Sequence, residues 1–531
     1  MNLADLLHTQ AEIQPDAPAL IDRTGGRAAF YTFARLDEAV ARAATMLRQS
    51  GLRPGDRALL FHPMSADLYI ALGALFRLGA AAVFVDPGLG RAQIADACAR
   101  WQPQAFFGAP RAHLLRLVVP ALRRIPLAIA TGWGAPGAVR WAQLWRCPPD
   151  TGETSPAGPD TPALITTTSG STGRPKVALR TQGFLLAQHK SIQAALGLGP
   201  GDRVATTLPI FVLSFLAAGA ATLLPGVDLR RPGRVRAGPL VAQIVQDEAT
   251  CLAASPAFLE QIARHCAAAG RTLPHITRIF GGGAPLFPDL LDELQAIAPN
   301  ASITAVYGAT EAEPIAHIEA AAITPADRQR MAQGGGLLVG LPVPSIQVRI
   351  LPDRWETPLP PMTPAALEAA ALPPGDAGEI LVSGSHVLPG YEQGEGDAET
   401  ILLAGDTRWR RTGDAGYLDE KGRLWLLGRC AARVEDARGL LYPFAVECAA
   451  HTFAEVKHAA LVSLSGERVL ALELYRPLTE ARQAALCKAL AWAHLDRLLA
   501  LPRLPVDKRH NAKIDYPALR RLLAQRRLTA D

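Results

Sequence analysis

The first half of the chain alternates between two hydrophobic patterns. Apolar residues recur at helical spacing over residues 32–49 and 67–78, and shorter apolar runs occupy residues 57–61 and 81–85. The first pattern predicts amphipathic helices, and the second predicts buried strands. Because strands that alternate with helices favour βαβ units, we expect parallel sheets covered by helices.

The same two patterns continue into the second half of the chain. They predict helices over residues 240–247, 257–269 and 288–297, and strands over residues 378–384 and 424–427. Residues 352–375 are rich in Pro and Ala and contain few β-formers, so they are predicted to form a surface insertion.

One long stretch, residues 204–227, carries no charge and is mostly apolar. Its length would satisfy a simple test for a membrane span. However, Pro209, Gly219 and Pro225 interrupt it, and charged residues flank it closely. We therefore predict a buried strand–helix–strand segment, with a membrane span as the alternative.

The length of the chain predicts more than one domain. A chain of 531 residues exceeds what one hydrophobic core usually supports. After Gly428-Arg429 the sequence changes character, and a short α+β region follows. The expected fold class is α/β, with a large N-terminal domain of βαβ-rich sheets covered by helices and a small C-terminal α+β domain.

Composition limits the kinds of partner that the protein is expected to bind. The apolar fraction of 49% and the charged fraction of 19% are typical of a globular protein. The net charge of +5 is small for this length and does not favour a nucleic-acid partner. A solvated helix face explains the basic cluster near the C-terminus, which consists of Arg520, Arg521, Arg526 and Arg527.

The cysteines and the N-terminus indicate a cytoplasmic protein. The seven cysteines are widely spaced and form no Cys-x-x-Cys pair, which argues against a zinc site and against a disulfide framework. The first residues lack the basic and apolar segments of a signal peptide.

The strongest chemical signal is the run Thr-Thr-Ser-Gly-Ser-Thr-Gly-Arg-Pro-Lys at residues 167–176. Apolar residues on both sides predict a strand, a tight loop, and then a second strand or the start of a helix. Glycines allow backbone N–H groups to approach an anion, hydroxyls donate to it, and Lys176 adds positive charge. The spacing is not that of a Walker A loop. By itself the run predicts either a phosphate-binding loop or a plain turn.

Further motifs follow this loop in a fixed order. They are Gly-Gly-Gly-Ala-Pro at 281–285, Tyr-Gly-Ala-Thr-Glu at 307–311, Arg-Thr-Gly-Asp at 411–414, Gly-Arg at 428–429 and a lysine at 513. With the loop, they resemble the motifs of the adenylate-forming superfamily, which includes acyl-CoA synthetases, adenylation domains and luciferases. The resemblance implies an ATP- and acyl-binding domain (1–428), a hinge (429–433) and a mobile C-terminal domain (434–531) that carries Lys513.

The resemblance also implies how these motifs would activate a carboxylate with ATP and Mg²⁺. The loop residues would hold the β- and γ-phosphates, namely Thr168, Ser169, Gly170, Ser171, Thr172, Gly173 and Lys176. The adenine slot would lie between Gly283, Ala284 and Pro285 on one side and Tyr307, Gly308 and Ala309 on the other. The expected catalytic residues are Thr310 at the α-phosphate, Glu311 as the Mg²⁺ ligand, and Lys513 between the α-phosphate and the attacking carboxylate. Asp414 would accept from the ribose hydroxyls, and Arg429 would contact ribose or phosphate.

Each of these residues also has a structural interpretation. Gly281–Gly283 could be a plain turn and Asp414 a loop cap. Glu311 and Lys513 could be ordinary surface charges. The order of the motifs, rather than any one of them, favours the functional interpretation.

Departures from the superfamily pattern indicate which group within the superfamily the chain resembles. Val177 stands where glycine is usual, Val212 where acyl-CoA synthetases often carry a histidine, and Glu435 where lysine is usual. The run Pro-Val-Asp-Lys-Arg-His-Asn-Ala-Lys-Ile at 505–514 closely resembles that of the β-lactone synthetases of bacterial long-chain olefin biosynthesis, and residues 433–442 do so too.

This closer resemblance implies a two-step reaction. A long-chain 2-alkyl-3-hydroxy carboxylate would attack ATP, giving acyl-AMP and pyrophosphate. The 3-hydroxyl of the same molecule would then attack the activated carbonyl, close a β-lactone and release AMP. His510 is a candidate base for the hydroxyl proton, with a capping or packing role as the alternative.

The resemblance implies partners as well, and other functions stay open. The substrate would be a long-chain hydroxy acid, and the protein could work in an assembly with other olefin-pathway enzymes. Peripheral membrane contact is a separate expectation, which comes from the apolar stretch of residues 204–227. One alternative is a fatty acyl-CoA or acyl-carrier-protein ligase. The other is a non-catalytic nucleotide-binding partner protein.

Overall fold

The computed structural model describes residues 2–24, 28–85, 90–150, 157–168, 176–227, 235–507 and 513–528. Two compact units divide the chain. Unit 1 consists of Met1–Val227, Gln243–Thr250 and Gly390–Gly396, and unit 2 consists of Asp228–Ala242, Cys251–Pro389 and Asp397–Asp531.

Both units contain helices and strands. The α-helices are α1 Leu3–Ile13, α2 Phe33–Gln49, α3 Ala66–Leu78, α4 Arg91–Trp101, α5 Leu115–Val118, α6 Pro120–Arg123, α7 Gln182–Leu196, α8 Pro209–Ala217, α9 Ala237–Gln246, α10 Pro256–Ala268, α11 Pro288–Ile297, α12 Pro325–Ala332, α13 Pro364–Ala370, α14 Asp397–Thr400, α15 Pro443–Ala450, α16 Glu480–Ala489 and α17 Tyr516–Leu528. The strands are β1 Pro18–Asp22, β2 Ala29–Thr32, β3 Arg57–Phe61, β4 Ala81–Phe84, β5 Ala105–Gly108, β6 Leu127–Ala130, β7 Val139–Arg140, β8 Pro162–Thr168, β9 Lys176–Thr181, β10 Arg203–Thr206, β11 Ala221–Leu224, β12 Cys251–Ala254, β13 Arg278–Gly282, β14 Ser302–Ala309, β15 Ala312–Glu319, β16 Leu337–Pro342, β17 Ile346–Leu351, β18 Gly378–Gly384, β19 Ile401–Ala404, β20 Thr407–Leu418, β21 Leu424–Arg429, β22 Val434–Asp436, β23 Gly439–Leu441, β24 Val456–Leu464, β25 Glu467–Leu474 and β26 Arg497–Leu501.

Unit 1 is built on a sheet with the strand order β7-β6-β5-β3-β4-β8-β9. The neighbours from β7 to β8 are parallel, and β9 returns antiparallel to β8. A second run of paired strands in this unit has the order β10-β11-β1-β2. This arrangement confirms the predicted βαβ units.

Unit 2 contains the strand run β17-β18-β20-β21-β16-β15-β14-β13-β12, with β19 also paired to β20. Strands β12, β13 and β14 are parallel, and the pairings from β14 to β17 are antiparallel. Its C-terminal part has the hairpin β22–β23 and the sheet β24-β25-β26, against which α17 packs. The α/β fold with a smaller, mixed C-terminal part is therefore confirmed.

The predicted elements agree closely with the structure. Strand β3 and helix α11 have the predicted bounds, and α2 starts one residue later, where the Thr32 side chain caps its first turn by accepting from the Arg35 N–H. Residues 204–227 contain the buried elements β10, α8 and β11, as predicted. No helix within the described ranges is long and apolar enough to cross a membrane. The Pro/Ala-rich segment, predicted as a surface insertion, contains the helix α13, whose N-cap is Thr363.

The arginine of the Arg-Thr-Gly-Asp motif is a buried structural residue. Arg411 is 1% exposed, and its guanidinium donates to both carboxylate oxygens of Glu379 at 2.9 and 2.6 Å. It also donates to the backbone carbonyls of Thr357, Glu399 and Arg354. Strand β18, strand β20, helix α14 and the segment after β17 therefore meet at one side chain, which fixes the position of the residues that follow it.

A buried carboxyl group attaches the C-terminal helix to its neighbours. Glu447 on α15 is 2% exposed, and its Oε1 accepts from the Tyr516 hydroxyl at 2.7 Å and from the Leu461 N–H at 3.1 Å. Burial raises the pKa of Glu447 to about 8. Tyr516 begins α17, so this contact ties α17 to α15 and β24.

The raised pKa predicts how stability depends on pH. The folded protein holds the Glu447 proton up to about pH 8, whereas the unfolded chain loses it in the ordinary glutamate range. The free energy of unfolding should therefore fall as pH rises between these values, by at most about 1.4 kcal/mol per pH unit from this group. Glu447→Gln, which is always neutral, should flatten this slope in urea titrations from pH 5 to 8.5. Exposed Glu420→Gln is the control, and an unchanged slope in Glu447→Gln would show that the folded carboxyl is already ionised.

Candidate active site

The hairpin of β14 and β15 holds the Tyr-Gly-Ala-Thr-Glu motif. Ala309 pairs with Ala312 across the hairpin, so Thr310 and Glu311 form its two-residue turn. The Glu311 carbonyl accepts from the Leu388 N–H at 2.7 Å, which anchors the turn. At Gly308 a Cβ would lie 3.0 Å from the Ala312 carbonyl oxygen, so the narrow hairpin favours glycine there.

Tyr307 and Asp414 are joined directly, although 107 residues separate them. The Tyr307 hydroxyl donates to Asp414 Oδ2 at 2.8 Å. Burial, followed by the Asp414 charge, raises the pKa of Tyr307 well above its ordinary value, so the phenol stays protonated and remains a donor. Asp414 is reached by a bend at Gly413, which has φ +70° and where a Cβ would meet the Trp355 ring at 2.8 Å.

Arg429 binds the other oxygen of the same carboxylate. Its Nε lies 3.1 Å from Asp414 Oδ1, and its Nη1 donates to the Thr412 carbonyl at 3.2 Å. The pKa of Arg429 is raised chiefly by Asp414, with smaller effects of Tyr307 and Glu311. The charge of Glu311 therefore also acts on Arg429.

Lys513, in the C-terminal part of unit 2, interacts electrostatically with Arg429 and Asp414. Burial lowers its pKa, Arg429 lowers it further, and Asp414, Asp507 and Glu313 act in the opposite direction. Its backbone is fixed by Asp507, because the Lys513 N–H donates to Asp507 Oδ1 at 3.0 Å and the Asp507 N–H donates to the Lys513 carbonyl at 2.8 Å. Two cations thus share the neighbourhood of one aspartate, an arrangement suited to an additional anion.

The Gly-Gly-Gly-Ala-Pro motif lies at the same sheet edge as Tyr307. Gly282 ends β13 opposite Val306 of parallel β14, so Gly283, Ala284 and Pro285 leave the sheet beside Tyr307. Gly283 has φ +84°, a conformation that glycine adopts without strain. Ligands in open α/β folds commonly bind at this edge, beyond the carboxyl ends of the strands.

The strands that flank the phosphate-binding loop belong to unit 1. β8 and β9 are antiparallel, Thr168 pairs with Lys176, and the segment after the loop is therefore a strand. The Lys176 Nζ lies 5.3 Å from the centre of the Tyr391 ring. The predicted phosphate ligands Ser169, Gly170, Ser171, Thr172 and Gly173 lie outside the described residues, as does His510.

Val177, which departs from the superfamily pattern, has a packing role. It is 2% exposed and belongs to the hydrophobic core cluster of unit 1 with Val83, Phe106 and Ile165. The extra side chain therefore adds apolar contact at the base of the loop.

Comparison with known proteins identifies the family. Residues 7–392 match the family model described as AMP-binding enzyme. The chain belongs to the AMP-binding enzymes. It is therefore an AMP-forming, carboxylate-activating ligase, and enzymes of this family use ATP.

Two named relatives of this AMP-binding enzyme align with almost its whole chain. The chain is 34% identical to the olefin beta-lactone synthetase of Stenotrophomonas maltophilia (strain K279a), over 97% of this chain and 96% of that protein. It is 32% identical to the olefin beta-lactone synthetase of Xanthomonas campestris pv. campestris, over 99% and 98%. The crystal structure of the anthranilate CoA ligase AuaEII with anthranoyl-AMP shares the fold, with a TM-score of 0.81 at 18% identity over 99% and 98% of the two chains.

The structure adds three residues that were not among the predicted site residues of this AMP-binding enzyme. Asp507 fixes the Lys513 backbone, and the Thr412 hydroxyl accepts from the Asp414 N–H at 3.0 Å while donating to the Ile380 carbonyl at 2.9 Å. Tyr391 contacts Lys176 from a segment more than 200 residues away in sequence. Thr412 and Asp507 lie inside quoted motifs, so their places were visible, but Tyr391 had no sequence signal.

Removing the Tyr307 hydroxyl should weaken ATP binding by this AMP-binding enzyme. Tyr307→Phe keeps the ring but leaves Asp414 without its neutral donor, and a hydrogen bond to a charged group is worth about 1.5–3 kcal/mol. We expect KM for ATP in pyrophosphate exchange to rise by about tenfold or more. Tyr417→Phe is the matched control, because its buried hydroxyl donates to the Gly335 carbonyl at 2.7 Å instead. Equal effects of the two variants on KM would contradict a specific role for Tyr307.

Proposed function

We propose that the protein converts a long-chain 2-alkyl-3-hydroxy carboxylic acid to a β-lactone, through an acyl-AMP intermediate, with release of pyrophosphate and AMP. The observation that carries this proposal is the similarity to two olefin beta-lactone synthetases over nearly the full length of both proteins. The names of these relatives state a lactone product. This chain belongs to a family whose members activate carboxylates with ATP, which is the first step of the proposed reaction.

The cluster of Tyr307, Asp414, Arg429 and Lys513 supports the first half-reaction. A carboxylate and an ATP phosphate repel one another, so cations must offset their charge as the carboxylate approaches phosphorus. Arg429 and Lys513 supply two positive charges beside Asp414, and Asp414 is held by Tyr307 and Arg429. In the proposed arrangement Asp414 accepts from the ribose and Lys513 contacts the reacting oxygens.

Thr310 and Glu311, which form the turn between β14 and β15, are suited to interactions with the ATP phosphates in the same reaction. We propose that Thr310 donates to the α-phosphate and that Glu311 is the protein ligand of Mg²⁺. Within the described ranges no group of three or more His, Cys, Asp or Glu residues could hold a metal ion. Mg²⁺ is commonly bound by one or two carboxylates together with substrate phosphates, so a single carboxylate such as that of Glu311 is a suitable protein ligand. When bound, the ion neutralises phosphate charge.

Ring closure requires little beyond positioning. The 3-hydroxyl oxygen forms a bond to the acyl carbon, the bond from that carbon to AMP breaks, and the hydroxyl proton leaves to a base or solvent. Because nucleophile and carbonyl belong to one molecule, no second substrate has to be bound.

The test combines activation and closure in one experiment. The protein is incubated with ATP, Mg²⁺ and a panel of 3-hydroxy acids, with and without CoA, and the products are identified by mass spectrometry. The proposal expects AMP and a product lighter than the acid by one water, without CoA. AMP release that requires CoA, with a thioester product, would establish the acyl-CoA ligase instead.

A matched substrate separates the two steps. The same acid without its 3-hydroxyl should be activated, as seen by pyrophosphate exchange, but should give no lactone. If the parent protein shows no pyrophosphate exchange with any acid, and Lys513→Ala behaves in the same way, the alternative of a non-catalytic nucleotide-binding partner protein would be favoured. Cytoplasmic location and assembly with other olefin-pathway enzymes stay predictions.

A further inference from the structure

Two exposed segments lie side by side at one edge of the unit 1 sheet. They are residues 109–118, which follow β5, and residues 131–140, which follow β6. β5 and β6 are neighbouring parallel strands, so both segments begin at the same sheet edge. The Arg116 Nη1 donates to the Pro136 carbonyl at 3.4 Å and joins them.

Large apolar side chains project into solvent from these segments. Leu114 is 60% exposed, Leu117 72% and Trp133 76%. Leu114 and Leu117 are three residues apart on consecutive helical turns and therefore share a face. Single exposed leucines are common, but a tryptophan and two leucines exposed at one edge are characteristic of a contact surface.

The stretch of sequence that contains both segments carries charge of only one sign. Residues 97–149 contain seven arginines and no Asp, Glu or Lys. Arg100 is neutralised by Glu392 and Glu395. Arg111, Arg116 and Arg140 form no ion pair within the described part of the chain, and the Arg140 side chain lies against Gly134 of the second segment.

We propose that this surface binds the anionic face of a lipid bilayer peripherally; it is called the Trp133 surface and consists of Leu114, Leu117, Trp133, Arg111, Arg116 and Arg140. Tryptophan and leucine insert at the level of the headgroups, and arginines pair with anionic headgroups around them. A bilayer offers both an apolar layer and negative charge. A second copy of the same surface would bring like charges together, and a nucleic acid would leave the leucines exposed.

The proposal goes beyond the reaction proposed above and does not depend on it. It also differs from a membrane role of residues 204–227, whose β10, α8 and β11 are mostly buried. A peripheral site on this enzyme would bring it to a surface where long-chain acids partition.

The test is sedimentation of the full-length protein with vesicles of phosphatidylcholine alone or with one quarter phosphatidylglycerol. We expect binding to the anionic vesicles, weaker binding in 0.5 M salt, and little binding to phosphatidylcholine alone. Arg111→Gln/Arg116→Gln/Arg140→Gln should weaken binding roughly a hundredfold, since each surface cation contributes about fivefold. Leu117→Ser/Trp133→Ser should weaken it by at least about tenfold.

Matched variants control for general charge and hydrophobicity. Arg53, Arg271 and Arg521 are exposed, and Arg53→Gln/Arg271→Gln/Arg521→Gln should retain vesicle binding. Ile13 is 68% exposed and Leu341 55%, and Ile13→Ser/Leu341→Ser should also retain it. All variants should keep the pyrophosphate exchange of the parent protein, which reports the fold and does not depend on the lactone product.

Binding of the parent protein to heparin separates the alternatives. The arginine variant should lose affinity for both heparin and anionic vesicles, whereas Leu117→Ser/Trp133→Ser should lose affinity for vesicles only. Vesicle affinity unchanged in Leu117→Ser/Trp133→Ser would overturn the proposal and leave a general anion-binding surface. No binding of the parent protein to anionic vesicles, or dimerisation that these substitutions abolish, would overturn it as well.

Discussion

Replacement of Lys513 by alanine is expected to slow acyl-adenylate formation by about a hundred- to a thousandfold. The side chain supplies one of two cations beside Asp414, and its backbone is fixed by Asp507, so the charge is already in place before the carboxylate arrives. Loss of a preorganised charge of this kind raises the activation barrier of acyl-adenylate formation without changing the fold. The measurement is pyrophosphate exchange with a 3-hydroxy acid at saturating ATP.

Two comparisons make this expectation specific. Lys488→Ala, at an exposed lysine of α16, should keep the parent rate. Lys513→Ala supplied with chemically prepared acyl-AMP should still release AMP, because closure does not need the first half-reaction. Exchange by Lys513→Ala at the parent rate would remove Lys513 from the proposed chemistry.

The lowered pKa of Lys513 adds a pH signature. A lysine whose pKa is lowered loses its proton, and hence its useful charge, at lower pH than an ordinary lysine. We expect kcat/KM for the adenylation step to fall on the alkaline side below the ordinary lysine range. Lys513→Arg, which stays charged, should move this fall to higher pH, whatever its maximal rate.

Replacement of Arg411 by methionine is expected to lower the free energy of unfolding by about 3–5 kcal/mol. The substitution leaves Glu379 as a buried carboxylate without its cation and three backbone carbonyls without their donor. Removing one partner of a buried pair costs more than the pair itself contributes, because the remaining charge cannot return to water. Equilibrium unfolding in urea measures the change.

The control is an exposed pair of the same type. Arg328 donates to both oxygens of Asp292 at 2.8 and 2.7 Å, but these side chains are 37% and 62% exposed. Arg328→Met should cost no more than about 1 kcal/mol. Arg411→Met/Glu379→Leu should recover part of the loss, and a loss in Arg411→Met as small as that in Arg328→Met would contradict the buried role of Arg411.

The elements of the fold were predictable because their cause is local. The helical spacing over residues 32–49 and the apolar run over residues 57–61 depend on neighbouring residues only, and α2 and β3 appear where these patterns lie. Helix α13 lies in a segment with several prolines, which weaken the periodic signal. Its start at Thr363 and Pro364 follows ordinary capping rules.

The site was predictable in its parts but not in its contacts. The ordered motifs identified Tyr307, Asp414, Arg429 and Lys513 as candidates, and all four lie together in unit 2. That the Tyr307 hydroxyl donates to Asp414, and that Arg411 of the same motif is a buried structural residue, could not be read from spacing. The functional roles of these residues remain predictions for the variants above.

The sequence alone determined the class of chemistry, because the loop of residues 167–176 and its companion motifs depend on residue type and order. It also determined the positions of the strongly periodic helices and strands, such as α2 and β3, because these follow from local hydrophobic periodicity. Only the tertiary structure decided which motif residues meet, since strand pairing brings Tyr307 to Asp414 across 107 positions. It also decided that Arg411 is buried and paired with Glu379, whereas Arg111, Arg116 and Arg140 form no ion pair with any described residue, because burial and charge pairing depend on distant parts of the chain.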